Sequence, residues 1–67
     1  MNTEMIGTAA GKVWTFLAEH GPASRAELKK ALSDLDDFTL AAAVGWLARE
    51  DKVVFVQSGR SFEIALK

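Results

Sequence analysis

The sequence predicts an α+β fold of three helices followed by a two-stranded antiparallel hairpin, and three observations support that prediction. Apolar residues recur at three- and four-residue spacing in two segments, about residues 5–19 and about residues 37–50. A capping box opens a shorter helical segment between them. After the last helix the chain becomes rich in β-branched and aromatic residues, with one glycine-containing turn near its middle.

The length and composition describe one small folded domain, residues 1–67. Hydrophobic residues make up 49% of the chain and charged residues 25%, which is typical of an ordered globular protein. A chain of this size buries a limited core, so we expect a free energy of unfolding of roughly 5 kcal/mol. The chain has no cysteine and a single histidine, which argues against disulfides, thiolate chemistry and a zinc site.

The first predicted helix spans about residues 5–19. Its apolar stripe consists of Ile6, Ala9, Ala10, Val13, Phe16 and Leu17. Gly7 and Gly11 each cost a helix up to about 1 kcal/mol relative to alanine, unless they allow another helix to approach closely. Trp14 falls just off the stripe, either at the edge of the core or in an exposed apolar patch. A His-Gly-Pro run beginning at His20 ends the helix.

The second predicted helix, about residues 25–32, begins at a capping box. The Ser24 side chain can accept a hydrogen bond from the Glu27 amide, while the Glu27 side chain reaches back to the Ser24 amide. The spacing predicts that three apolar residues face inward: Leu28, Ala31 and Leu32. Residues 23–24, just before the helix, are a candidate very short strand.

The third predicted helix spans about residues 37–50 and follows a polar connection with three acidic residues. Either Asp36 or Asp37 suits its N-cap, because a carboxylate there accepts from free backbone amides and favours the positive end of the helix dipole. Three apolar residues at i, i+4 and i+7 predict its buried face: Leu40, Val44 and Leu47.

Two strands, about residues 53–57 and about residues 60–66, flank Ser58-Gly59, which suits a two-residue turn. This turn fixes the pairing register, because side chains alternate between the two faces of a strand. The predicted pairs on one face are Gln57 with Arg60, Phe55 with Phe62, and Val53 with Ile64. Leu66 joins the apolar residues of these pairs on one face of the hairpin, and Val54 and Val56 lie on the other face.

The order of helix, short strand, two helices and two-stranded wing resembles a winged helix-turn-helix domain. More narrowly, the run G-W-L-A-R-E-D-K-V at residues 45–53, with G-K-V-W at 11–14 and E-L-K-K at 27–30, resembles a small family of bacterial and archaeal winged-helix proteins. That family has no assigned function. The resemblance covers almost the whole chain and implies the fold, but it implies no catalytic or ligand-binding residue.

The third helix occupies the position of a recognition helix, yet its predicted outward face lacks side chains that read bases. DNA-binding winged helices place this helix in the major groove, where polar side chains contact base edges. Ala41, Ala42 and Gly45 have no side-chain hydrogen-bonding group. The three acids before the helix would be repelled by phosphates, and the formal net charge of the chain is −1. Sequence-specific DNA recognition is therefore disfavoured.

The same outward face suits contact with a protein. Small residues let a partner backbone approach closely, and two aromatic side chains can act as apolar anchors. The candidate protein-contact face consists of Phe38, Ala41, Ala42, Gly45 and Trp46. The alternative is that the Trp46 ring folds over the wing or the first helix and that the alanines only stabilise the third helix.

Five cations are the candidate nucleic-acid contacts: Lys29, Lys30, Arg49, Lys52 and Arg60. Arg60 lies at the predicted tip of the wing, where winged helices often touch DNA. The alternative is that these side chains are solvated, and acidic residues near them in sequence dilute any basic patch.

The sequence contains no paired nucleophile and base, glycine-rich phosphate loop or metal-ligand spacing, so it predicts a non-enzyme with no cofactor and no small-molecule substrate. His20 is expected to be structural or exposed. No apolar segment approaches the ~18 residues needed to cross a bilayer, and we expect a cytoplasmic protein.

Two functional hypotheses follow from these observations. The first is protein–protein contact, as a homodimer or with a protein partner. The second is a DNA-binding transcriptional regulator that uses phosphate contacts with weak sequence readout, which rests on fold analogy.

Overall fold

The computed structural model describes residues 2–67. The elements are α1 (Thr3–His20), β1 (Ala23–Ser24), α2 (Arg25–Ala31), α3 (Asp37–Arg49), β2 (Val53–Ser58) and β3 (Ser61–Leu66). The strands form one antiparallel sheet in the order β1-β3-β2, so β2 lies at an edge. Three helices and a C-terminal hairpin wing in this order form the winged-helix fold that the sequence predicts.

Helix α1 begins two residues before the predicted start, because Asn2 acts as its N-cap. The Met5 backbone N–H donates to the Asn2 side-chain oxygen at 2.8 Å. An ideal Cβ added at Gly7 or Gly11 would meet nothing within 4 Å. The alternative that these glycines allow a close helix contact therefore does not hold.

Helix α2 begins at the predicted capping box, which the structure confirms. The Glu27 N–H donates to the Ser24 hydroxyl at 3.1 Å, and the Ser24 N–H donates to the Glu27 carboxylate at 2.9 Å. Leu28 is fully buried, but Ala31 is exposed, contrary to its predicted inward position. The helix ends at Ala31 with Leu32 as its C-cap, so this short helix buries only the residue at its centre.

Helix α3 is rotated slightly relative to the prediction. Leu40 and Leu47 are buried as predicted, whereas Val44 is only half-buried and Ala43 is fully buried. The reason is that α3 packs along α1, and the small Ala43 side chain allows that approach. Val44 is turned aside towards the wing, where it lines the groove described below.

The N-cap of α3 is Asp36 rather than Asp37. Its carboxylate accepts from the Thr39 backbone N–H at 2.7 Å, and this bond lowers the pKa of Asp36 below its ordinary value of 3.8. A carboxyl group whose pKa is lowered in the folded state stabilises the fold at pH values above its unfolded-state pKa. That stabilisation is lost as the pH falls through the folded-state pKa.

We therefore expect the thermal midpoint to fall as the pH drops below about 4. An Asp36→Asn variant, which keeps an N-cap acceptor without the titrating group, should show a smaller fall over the same range. Thermal unfolding followed by circular dichroism between about pH 7 and about pH 2 measures both curves. Parallel curves for the two proteins would contradict this assignment of Asp36.

The turn of the wing lies one residue further along the chain than predicted. Ser58 pairs with Ser61, so the turn consists of Gly59 and Arg60. Gly59 has a φ of +61° and stands at the first central position of the turn. Glycine takes this conformation without steric cost, whereas the predicted turn would place Ser58 there. The predicted pairing of Gln57 with Arg60 is therefore wrong.

The corrected register shifts the pairing by two residues, so Phe55 is opposite Ile64 and Val53 is opposite Leu66. A shift of two residues keeps every side chain on its predicted face. Phe55 and Phe62 still touch, now diagonally and edge to face, with ring centroids 5.7 Å apart. The face assignment was correct although the pairs were not.

The core lies between α1, α3, the centre of α2 and the base of the sheet. Its buried apolar residues are Ala9, Ala10, Val13, Leu17, Ala23, Leu28, Leu40, Ala43, Leu47, Val53 and Ile64. The helices cover only the base of the hairpin, and most of the wing extends beyond them into solvent. This leaves the inner face of the wing open beside α3.

Candidate functional site

A groove of about 320 Å³ separates α3 from the inner face of the wing. Its walls are mostly apolar, with one arginine and one aspartate among the lining residues. The lining residues are Arg25, Leu28, Asp37, Leu40, Ala41, Val44, Gly45, Phe55, Phe62 and Ile64. We call this feature the wing groove. It lies between the two elements that DNA-binding winged helices place against DNA.

Three exposed phenylalanines accompany the wing groove. Phe55 and Phe62 line it from the wing and are 51% and 41% exposed. Phe38, at the start of α3, is 75% exposed and does not line the groove. An aromatic side chain exposed to this degree leaves a large apolar area in water. Single exposed hydrophobic residues are normal on protein surfaces, but three phenylalanines on neighbouring elements form a larger apolar surface.

The predicted protein-contact face is divided by the structure. Ala41 and Gly45 line the wing groove, and Phe38 is exposed on the same outward side of α3. Ala42 is half-buried and lies outside the groove. Trp46 lies on the other flank of α3, where it borders a separate hollow between α3 and α1. Although it follows Gly45 in sequence, it does not line the wing groove.

The hollow beside Trp46 also contains Trp14, which answers the question left open by the sequence. Both indoles remain partly exposed and both border the hollow formed between α1 and α3, together with Gly7 and Gly11. Of the two alternatives for Trp14, the structure favours the exposed apolar patch, which it shares with Trp46. Trp46 packs towards the first helix, as the alternative interpretation of the sequence held, but without full burial.

The wing side of the groove is the part that the sequence analysis missed. Phe55 and Phe62 were placed on the correct face of the hairpin but were not recognised as surface residues, and Arg25 was not singled out. A usable signal was present in α3. Ala41 and Gly45 are too small to cover two phenylalanine rings, so the wing opposite them had to remain open.

The candidate nucleic-acid contacts are not equivalent in the structure. The Lys29 ammonium donates to the Leu35 carbonyl oxygen at 2.5 Å and lies 3.7 Å from the Asp37 carboxylate, so it fastens the connection between α2 and α3. The other four cations are exposed and make no ion pair within residues 2–67: Lys30, Arg49, Lys52 and Arg60. Arg49 ends α3, and Arg60 is at the tip of the wing.

Acidic groups flank the leading end of α3. The Lys12 ammonium donates to the Asp34 carboxylate at 2.6 Å, and this hydrogen bond lowers the pKa of Asp34. Asp36 is the N-cap described above, and Asp37 borders the wing groove. Three carboxylates therefore lie at the end of α3 that would enter a major groove, and two of them are beside a lysine.

His20 stacks on Phe16 at the end of α1, with ring centroids 4.5 Å apart. Within residues 2–67 no group of three histidine, aspartate or glutamate side chains could hold a metal ion. No helix in that part of the chain is both long and apolar enough to cross a membrane.

Comparison with known proteins decides the family. Residues 1–66 match the family described as a winged helix-turn-helix domain (DUF2582). The chain belongs to this family. It is 36% identical over 64 residues to an uncharacterised protein of Methanocaldococcus jannaschii, MJ1608, covering 92% of this chain and 90% of that protein.

A solved structure supports the same assignment. The solution NMR structure of protein BT2368 from Bacteroides thetaiotaomicron matches with a TM-score of 0.86 and 41% sequence identity. The match covers 98% of this chain and 79% of that one. The resemblance identified from the 45–53 run is thus confirmed, and so is the winged-helix fold. The names of these two relatives state no activity.

Proposed function

We propose that this domain is a protein–protein contact module that associates with a second copy of itself through the wing groove and its phenylalanines. The observation that carries the proposal is the groove between α3 and the wing. The elements that would bind DNA in other winged helices here enclose an apolar surface and carry acidic residues at the helix start. Covering such a surface with another apolar surface is favourable, because apolar area is removed from water.

The exposed aromatic area is large enough to form the centre of a small interface. Fully exposed aromatic side chains offer about 150–250 Å² each, so the three phenylalanines together expose roughly 300 Å². A standard interface buries about 800 Å² on each partner. The phenylalanines supply more than a third of that area, and the lining of the groove and the adjacent strand surface can supply the remainder.

The charges at the wing groove favour a second copy of this chain over other occupants. Arg25 and Asp37 both line the groove and both are exposed. One cation and one anion at the groove balance each other, so the same groove on a second copy would not repel it, and a nucleic acid gains no net attraction there. Asp37 also lies 3.7 Å from the Lys29 ammonium, which offsets part of its charge within the chain.

Substitution at Gly45 tests the proposal with a matched control. An ideal Cβ at Gly45 meets nothing within 4 Å, so Gly45→Ala should fold at least as well as the wild type and keep self-association. Gly45→Arg projects a long charged side chain into the groove. We expect the wild type and Gly45→Ala to show a molar mass that rises with concentration in sedimentation equilibrium, and Gly45→Arg to remain monomeric. A wild type that is monomeric up to about 1 mM would refute self-association.

DNA binding is the second candidate, and the exposure of Arg49 and Arg60 at the end of α3 and the wing tip favours it. A few phosphate contacts would give weak binding with a modest salt dependence. Titration of labelled duplex DNA at low and moderate salt separates the two candidates. Tight binding with a steep salt slope, weakened by Arg49→Ala and Arg60→Ala, would place DNA binding ahead of protein contact.

A further inference from the structure

The open edge of the sheet suggests how the two copies meet. We propose that β2 (Val53–Ser58) pairs antiparallel with the partner's β2 about a two-fold axis at Phe55, which joins two three-stranded sheets into one continuous sheet. This inference rests on the proposed self-association and names its geometry. The open edge of β2, the directions of its backbone groups and its side chains support it.

Strand β2 has none of the usual protection of an edge. It lies outside β3 in the sheet order, and all of its residues after Val53 are exposed. Its sequence, V-V-F-V-Q-S, contains no charge and no proline. Natural edge strands commonly carry lysine, proline or a bulge because an open row of backbone groups otherwise pairs with another strand. An uncharged, apolar edge of six residues is suited to such pairing.

The backbone directions along β2 follow from one hydrogen bond. The Lys67 N–H donates to the Lys52 carbonyl oxygen at 3.0 Å, so this pair is bonded across the β2–β3 ladder. Bonded and non-bonded pairs alternate in antiparallel sheets. The backbone groups of alternate residues, starting with Val54, therefore point to β3. The backbone groups directed to the open edge belong to Val53, Phe55 and Gln57.

Two-fold symmetry restricts the register. Residues of the same face must stand opposite each other, so the axis must pass through a pair of identical residues. With the axis at Phe55, Val53 stands opposite the partner's Gln57, and Gln57 opposite the partner's Val53. All three outward-facing residues then exchange hydrogen bonds. An axis at Val54 or Val56 would leave one of the three outside the paired region.

The side chains agree with this register and identify the partner as a second copy. Phe55 meets the partner's Phe55 on the groove face, while Val54 meets the partner's Val56 on the other face. Val54 and Val56 are 38% and 47% exposed in the single chain and would contact the partner's valines across the axis. No charged residue opposes a like charge. Because Phe55 also lines the wing groove, the partner's Phe55 would lie beside the groove, and both surfaces would belong to one interface.

Amide hydrogen exchange across a concentration series is the first test. Exchange of the Phe55 and Gln57 amides should slow as the protein concentration rises, because these groups become bonded only in the dimer. The Val54 and Val56 amides, bonded to β3 within each chain, provide internal controls and should not change. Exchange at Phe55 and Gln57 that stays constant while the protein dimerises would overturn the inference.

Paired substitutions on the outer face test the register. In Val54→Lys/Val56→Lys, lysine would oppose lysine twice across the axis. In the matched Val54→Glu/Val56→Lys, glutamate would oppose lysine twice, and in both variants the lysine at 56 can pair with Glu63 on β3. We expect the dimer dissociation constant of the first variant to exceed that of the second at least about tenfold. Equal constants would refute the register.

The failures are distinguishable. If the wild type is monomeric at all concentrations, the proposed function and this inference fall together. If it dimerises and Gly45→Arg abolishes the dimer, while the edge amides and the paired variants show no effect, self-association through the groove stands and only the strand pairing is refuted.

Discussion

Alanine in place of Leu28 is expected to lower the free energy of unfolding of the domain from about 5 to about 0–3 kcal/mol. Leu28 is 0% exposed, lies at the centre of α2 and forms part of the floor of the wing groove. Truncating a buried leucine costs about 2–5 kcal/mol, since transfer free energy is lost and a cavity remains. A domain of this size has only about 5 kcal/mol to lose. Urea denaturation followed by circular dichroism measures the effect.

Leu32→Ala is the matched control, because it makes the same chemical change one helical turn further on. Leu32 is half-buried and caps the end of α2, so its truncation should cost less than half as much. A Leu28→Ala protein with the same denaturation midpoint as Leu32→Ala would contradict the packing of α2 described above. It would mean that Leu28 contributes no more to the core than a residue at its margin.

The order of elements could be predicted because the signals that set it are local. The capping box at Ser24 and Glu27 satisfies amides within a single turn, and the His-Gly-Pro run ends α1 irrespective of the rest of the chain. Asn2 was missed although asparagine is a common N-cap. The apolar stripe begins at Ile6, four residues later, and the stripe was used to set the start of the helix.

The rotation of α3 could not be predicted from periodicity alone. The spacing of Leu40, Val44 and Leu47 defines one stripe, but Leu40, Ala43 and Leu47 define another that differs by a small rotation. The choice between them depends on how closely α1 approaches, which is a tertiary property. The register of the wing depended in the same way on the conformation of a single residue, Gly59.

For a related reason, the α3 side of the candidate site could be predicted from the sequence and the wing side could not. The outward positions of α3 follow from its buried ones, so Ala41 and Gly45 were identified from the sequence. The exposure of Phe55 and Phe62 depends on how far the helices extend over the sheet, and alternation within a strand does not contain that information. The wing groove exists because the strands outreach the helices, which becomes apparent only when both are assembled.

Replacing Gly21 by alanine is expected to destabilise the domain by about 1–3 kcal/mol, although the added methyl group would touch nothing. Gly21 ends α1 with φ +87° and ψ −169°, a backbone conformation that is open almost only to glycine. Its N–H donates to the Leu17 carbonyl oxygen at 2.9 Å, and Pro22 follows it, so the chain cannot relax easily into another conformation. An ideal Cβ here meets nothing within 4 Å, so the cost is conformational.

Gly11→Ala provides the opposite case, because it adds the same methyl group inside α1 and also into open space. It should stabilise the domain by about 0.5–1 kcal/mol, since alanine loses less backbone entropy than glycine in a helix. The two variants should therefore move the thermal midpoint in opposite directions from the wild type. A Gly21→Ala protein at least as stable as the wild type would contradict the left-handed end of α1. Steric crowding cannot explain a divergence between two methyl groups that both lack neighbours, so backbone conformation alone must account for it.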